Sequence, residues 1–261
     1  MAKTSNYIPQ DSPIDRMHPM VKIYAIFCLG LSALLFPYFL FSYAIVIVLF
    51  IVAGIAKLLK RFSKFIIGFT IPITIMLMFI QGLYSPKNET ILMDFGFARL
   101  GLEGVVIALN IIGTLLVFLG TFYLMTTTTY TGKLVAALVQ SGMSVKVGYL
   151  ILASLNVVPQ MQRRMSIIKE AQVARGVETE GGLLARFKAF IPLLGPVVMS
   201  SLTDAQERGM TLETRGFAVT GIKPTTYVQV NESPSDKLIK AILILFFLAS
   251  AGSSLVLRFV L

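Results

Sequence analysis

Gln172-Val173-Ala174-Arg175-Gly176 and, forty residues on, Leu212-Glu213-Thr214-Arg215-Gly216 are the stretches from which the rest of the chain can be read. Each Arg-Gly pair reads as a helix end, with arginine in the last turn, where a cation suits the helix dipole. The glycine then takes the left-handed position just past the end. Before the first pair, Val147, Ile151, Leu155, Val158, Met161, Met165, Ile168 and Gln172 recur every three or four residues. This spacing predicts a helix over Val147–Arg175, about 45 Å long, bent by Pro159 and carrying an apolar stripe that packs against another helix. Before the second pair, Val198, Leu202, Ala205, Gly209 and Leu212 share a face with small residues, which predicts a partner helix over about Val197–Arg215 that crosses the first closely. Pro192 and Pro196 precede that helix, Val177–Lys188 with Gly181 and Gly182 reads as a loop, and Lys133–Gln140 as a shorter helix leading in.

Working outward, the flanks of this polar middle are apolar. The chain is 56% hydrophobic and 14% charged with a mean hydropathy of +0.79, outside the range of a soluble domain. Five runs can cross about 30 Å of hydrocarbon as helices: Val21–Phe36, Tyr38–Ala56, Phe65–Tyr84 with a kink at Pro72, Val105–Thr126 and Leu238–Leu257. The runs Val147–Val158 and Phe190–Met199 are too short and carry basic residues on both sides. The expected fold is therefore an all-α integral membrane protein of about five transmembrane helices, with a cytoplasmic domain of two long crossing amphipathic helices and a shorter one. The expected organisation is a tail at 1–20, four membrane helices at 21–130, the cytoplasmic domain at 131–236 and a last membrane helix at 237–261.

Of 23 basic residues, all but Lys87, Arg99 and Arg258 fall in the amino tail, the second connection (Lys57, Lys60, Arg61, Lys64) or the polar middle. Basic loops stay in the cytoplasm. The amino end and the middle are thus expected inside and the carboxyl end outside. The net charge of +10 follows these loops and forms no aromatic-interleaved patch, so no nucleic-acid partner is expected.

Chemistry-bearing motifs are scarce. Cys28 and His18 are the only residues of their kinds, too few for a disulfide framework or a structural zinc site. Gly132-Lys133 is followed by Leu134 and preceded by Thr127 where a phosphate-cradling loop needs glycine, so ATP hydrolysis is not expected. No cofactor is expected. Thr126, Thr127, Thr128 and Thr129 have two readings: hydroxyls bonding back to the preceding helical turn, or, with Pro159, a joint between the membrane part and the cytoplasmic part.

These features occur in an order that resembles a known family. Asp11-Ser12-Pro13-Ile14-Asp15-Arg16-Met17-His18-Pro19, Leu102-Glu103-Gly104, the threonine run, Pro159, Ala171 to Gly176, Pro192-Leu193-Leu194-Gly195-Pro196 and Glu213 to Phe217 together resemble the T component (EcfT/CbiQ family) of energy-coupling factor transporters. The resemblance implies a non-catalytic scaffold in a prokaryotic cell membrane, with two crossing coupling helices. Each helix ends in an Ala-Arg-Gly motif docking one of two ABC-type ATPases, and a membrane S component captures a vitamin or metal ion. The docking role falls on Ala174, Arg175 and Gly176, and on Thr214, Arg215 and Gly216, where Thr214 departs from the family alanine. The competing readings are the permease of a conventional ABC importer, whose loop Glu170-Ala171 to Ile191-Pro192 only approximates, and, more distantly, a membrane-embedded enzyme, for which the spans lack clustered acids, His or Cys.

Overall fold

The computed structural model describes residues 12–82, 90–94, 99–176, 182–217, 219 and 230–260. The first eleven residues of the tail, the end of the third expected span at Tyr84, Lys87, and Val177–Gly181 of the expected loop lie outside these. The chain divides into two compact units: Met1–Thr4 with Leu138–Gln229, and Ser5–Ala137 with Val230–Leu261.

The second unit is the membrane bundle, and the expected all-α membrane fold holds. A short helix α1 (Pro13–Arg16), closed by a capping box between Ser12 and Asp15, precedes α2 (Pro19–Leu35), α3 (Phe39–Ile55), α4 (Leu59–Leu77), α5 (Leu102–Thr128) and, after the polar middle, α9 (Pro234–Val260). Three helices, Leu59–Gly82, Leu102–Thr128 and Pro234–Leu257, are long and apolar enough to cross a membrane; α2 and α3 are apolar and 17 residues each, at the short end of what can cross. Pro72 lies inside α4, and the third span ends differently from expectation, in a π-helical turn at Met78–Gly82. An antiparallel ribbon, β1 (Ile91–Asp94) with β2 (Arg99–Gly101), joins it to α5.

The bundle is built around α5, which packs against α2, α3 and α4. Its core comprises Ala33, Ile45, Val46, Leu49, Ala53, Phe62, Ile66, Ile112, Leu116, Val117 and Leu124. Small residues set the spacing: a Cβ at Gly113 would come within 2.8 Å of Ser42 Cβ, and one at Gly120 within 3.3 Å of the Phe62 ring. In lipid there is little hydrophobic drive between helices, so such close approach and buried hydrogen bonds hold the bundle. The α2–α9 contact shows this, with Ser250 Oγ donating to Ser32 Oγ (2.7 Å), Ser254 Oγ donating to the Leu35 carbonyl (2.6 Å), and Phe41 of α3 stacked on Phe246.

The other unit contains α7 (Val145–Ala174) and α8 (Leu183–Thr214), reached through α6 (Thr131–Gln140). Pro159 lies inside α7 as expected. α8 departs from the expectation of a helix beginning near Val197 after a loop to Lys188. It begins at Leu183 and runs unbroken through Pro192 and Pro196. Each proline removes one N–H and leaves one carbonyl unbonded, which costs stability without forbidding the α conformation. Spaced four apart, the carbonyls of residues 188 and 192, which lose their in-helix donors to the prolines, fall on one face of the helix.

Candidate functional site

Both Arg-Gly helix ends have the backbone their sequence predicts. Gly176 (φ +85°) and Gly216 (φ +71°) are left-handed, a conformation that penalises any side chain, and Arg175 and Arg215 occupy the C-cap positions. At the second end the Phe217 N–H reaches the Leu212 carbonyl (3.0 Å) and the Gly216 N–H that of Glu213 (2.9 Å), the two bonds of a Schellman motif; at the first, the Gly176 N–H reaches Val173 (2.9 Å). Ala174, Arg175, Gly176, Thr214, Arg215 and Gly216 are all exposed. Neither arginine forms an ion pair with a described residue. The Thr214 hydroxyl donates to the Thr211 carbonyl (2.9 Å), so the departure from alanine adds no free polar group at that helix end.

The two helices run antiparallel. Near their middles Arg164 pairs with Asp204, Arg208 donates to Gln160 Oε1 (2.7 Å), and Ser201 Oγ meets Met161 Sδ (3.7 Å). At one end the ring of Phe217, just past α8, lies 5.3 Å from that of Tyr149 near the start of α7. Arg215 is thus beside the beginning of α7 while Arg175 closes its far end, about 40 Å along the helix at 1.5 Å per residue. The geometry separates the two docking candidates and leaves each at its own end.

Over the first part of the crossing the face differs from the expected one. Val198, Leu202 and Ala205 are exposed, while Val197 is buried and Ser200, Ser201, Asp204 and Arg208 are half-buried, a rotation of one residue about α8; farther along, Gly209 and Leu212 are half-buried as expected. On α7 the stripe is half-buried from Met161 to Gln172. From Val147 to Val158 it is open, with Leu155 at 48% and Val158 at 56% exposure, contrary to the expectation that it packs along its length. The reason is chemical: the contact is made by an ion pair and amide and hydroxyl groups, which hydrophobic periodicity does not register. A half-exposed ion pair adds only about 0–1 kcal/mol, so it fixes register more than stability.

The threonine run lies in the membrane bundle. Thr126 and Thr127 donate to the Tyr123 carbonyl (3.0 and 2.7 Å) and Thr128 to that of Leu124 (2.6 Å), the back-bonding its composition predicts. A residue that sequence reasoning counted only as a tail charge joins it. Lys22, 7% exposed, donates from Nζ to the Thr128 carbonyl (2.8 Å), Thr128 Oγ1 (3.0 Å) and Thr129 Oγ1 (3.0 Å), which uses all three of its protons. Beside it Asp236, at the start of α9, accepts from the N–H groups of His18 (3.2 Å) and Ser233 (3.0 Å). His18 is buried and caps α2, its Nδ1 accepting from the Met20 N–H (3.2 Å). Nearby, the ammonium of Lys240 holds the exposed Glu232 carboxyl below its ordinary range. The starts of α2 and α9 and the end of α5 therefore meet in one buried polar cluster. The signal was in the sequence: an ionisable residue inside an apolar run must find partners.

Comparison with known proteins now fixes the family. A family model described as cobalt transport protein, CbiQ, matches residues 10–228. The chain belongs to the EcfT/CbiQ family. The matched stretch holds both Arg-Gly ends, the threonine run and Lys22, and stops before α9. Among relatives within the family, the energy-coupling factor transporter transmembrane protein EcfT of Lactococcus lactis subsp. cremoris is 27% identical over 89% of this chain and 90% of its own. That of Bacillus selenitireducens is 27% identical over 92% of each, and that of Listeria innocua 29% over 81% and 83%. Among the described residues no group of three or more His, Cys, Asp or Glu side chains is arranged to hold a metal ion.

Proposed function

We propose that this chain is the T component of an energy-coupling factor importer, a transmembrane scaffold that passes ATP-driven motion from two cytoplasmic ATPases to a membrane S component during uptake of a vitamin or metal ion. The observation that carries this reading is the pair of exposed arginines, without ion-pair partners among the described residues, at opposite ends of an antiparallel helix pair. The two ends lie about 40 Å apart along α7, more than the roughly 30 Å diameter of a small domain. A guanidinium offers a rigid, permanently charged fork that binds carboxylates or exposed helix carbonyls, which suits docking into a groove on each ATPase. The open apolar positions Val147, Ile151, Leu155, Val158, Val198 and Leu202 belong, in this reading, to the surfaces that meet the membrane and the S component. The buried cluster of Lys22, Thr128 and Thr129 anchors the end of α5 where Thr126–Thr129, with Pro159, act as the joint.

Purification in mild detergent tests the assembly. Two ATPases and one small apolar protein are expected to accompany the chain; a lipid-anchored or periplasmic-type binding protein in their place would point to a conventional permease. The chain alone is expected to show no ATP hydrolysis, because it has no phosphate-binding loop. Sustained turnover by the isolated chain, after contaminating ATPases are removed, would refute the scaffold role.

The same reading places the amino end and the polar middle inside and the carboxyl end outside, from the distribution of the 23 basic residues. In a Cys28→Ser background, a cysteine at Asn88 is expected to react with an impermeant maleimide added to whole cells and one at Glu178 to be shielded. The opposite pattern would invert the topology.

A further inference from the structure

On the membrane bundle, α4 and α5 form a groove of ≈ 530 Å³ lined by Arg61, Lys64, Phe65, Gly68, Phe69 and Tyr123. On α4 these residues fall three or four apart and share one side of the helix. The two cations come first. One further turn along, about 6 Å deeper by helix rise, the lining becomes Gly68 and Phe69. The wall is rigid, because Phe65 stacks on Tyr123 with centroids 4.4 Å apart and rings inclined by 19°. A Cβ built on Gly68 would meet nothing within 4 Å, so the groove floor is open.

Its electrostatics are one-sided. Arg61 and Lys64 are exposed and neither forms an ion pair with a described residue, although two more cations, Lys57 and Lys60, precede them. The sequence has no Asp or Glu from Lys57 to Lys87, and none on α5 after Glu103. Two unneutralised cations above an apolar, aromatic-walled channel, at the end of a helix apolar enough to cross a membrane, match one kind of molecule: an anionic head joined to a hydrocarbon tail.

We propose that this groove is a binding site for one acidic phospholipid, its phosphate held by Arg61 and Lys64 and one acyl chain lying along Gly68 and Phe69. Arginine and lysine divide the work: the planar fork of Arg61 grips two phosphate oxygens, and Lys64 adds a point charge on a flexible stem that follows the headgroup. Basic pockets between transmembrane helices are where acidic lipids bind with specificity beyond surface attraction. The site is independent of the docking role and takes from it only the orientation that assigns the lipid to the inner leaflet.

The test uses the full chain in mild detergent, titrated with dioleoyl phosphatidylglycerol or dioleoyl phosphatidylcholine and read by native mass spectrometry, so neither ATPases nor membrane orientation enter. One phosphatidylglycerol should bind in preference to phosphatidylcholine. Arg61→Gln/Lys64→Gln should weaken it about thirtyfold, the effect of two interfacial cations. Lys57→Asn/Lys60→Gln, which removes the same charge outside the groove, should change it much less, because neither side chain lines the groove. Gly68→Leu keeps both cations and fills the channel, and should weaken phosphatidylglycerol while leaving the elution profile of the protein unchanged. Equal binding of the two lipids, or an equal loss in the Lys57/Lys60 variant, would overturn the proposal in favour of diffuse surface charge. Displacement by soluble glycerol phosphate as effective as by the lipid would overturn it in favour of a free-phosphate site. A photocrosslinker on a Gly68→Cys variant that captured a partner protein in the assembled complex, and no lipid, would overturn it in favour of a protein interface.

Discussion

Arg175→Ala/Arg215→Ala is expected to abolish co-purification of the ATPases and to reduce substrate uptake to background, with membrane expression unchanged. Two accounts of these residues differ in size. If each arginine only completes a helix end, its loss costs about 0.3–1 kcal/mol of dipole interaction, and the glycine-based cap remains. If each is buried against an ATPase, its loss leaves partner groups unpaired and costs about 2–5 kcal/mol. Within the chain neither guanidinium has an ion-pair partner among the described residues, so a loss of the second size would have to come from a contact outside it. Each single substitution should leave the complex detectable but slow, since one anchor still raises the effective concentration at the other. Arg→Lys at either position should rescue in part, keeping charge without the fork. Parental uptake by the double variant, with both ATPases retained, would return Arg175 and Arg215 to the role of helix ends.

The second large effect is expected at Lys22. Lys22→Met keeps the length and apolar stem of the side chain and removes the ammonium, leaving the Thr128 carbonyl and the Thr128 and Thr129 hydroxyls without their donor in a buried site. Hydrogen bonds from a charged donor contribute about 1.5–3 kcal/mol, and here one ammonium serves three acceptors, so a loss of about 3 kcal/mol is expected. Denaturant unfolding of the purified protein should show it. Hydrogen exchange should locate it, with faster exchange at Thr128–Tyr130 and little change in the middle of α5. A uniform change along α5, or none, would mean that the cluster does not anchor this helix end. Thr129→Val, which removes one acceptor and leaves the ammonium two, should cost much less.

These two sites were legible to different degrees. Arg175 and Arg215 stood out because a helix end is a local event: a cation, then a glycine, then left-handed backbone, all within three residues. The left-handed Gly176 and Gly216 follow from that spacing alone. Lys22 did not stand out, since its partners are more than a hundred residues away and its position beside the tail made it look like an ordinary boundary charge. Only the packing of α2 against α5 turns it inward.

The physics of a single segment in lipid decided the membrane class, the five apolar helices, the Arg-Gly ends and the back-bonding of Thr126, Thr127 and Thr128. Each depends on residues within a few turns of one another, and backbone groups in hydrocarbon leave a helix as almost the only choice. Tertiary structure decided what depends on two segments at once. It set the face on which α7 and α8 cross, where Arg164 and Asp204 outweigh the periodicity of Val198 and Leu202. It carried α8 through two prolines back to Leu183, because a proline weakens a helix by an amount that its context can offset. It also put the two arginine ends at opposite ends of one helix pair, a separation absent from any stretch of the chain read alone.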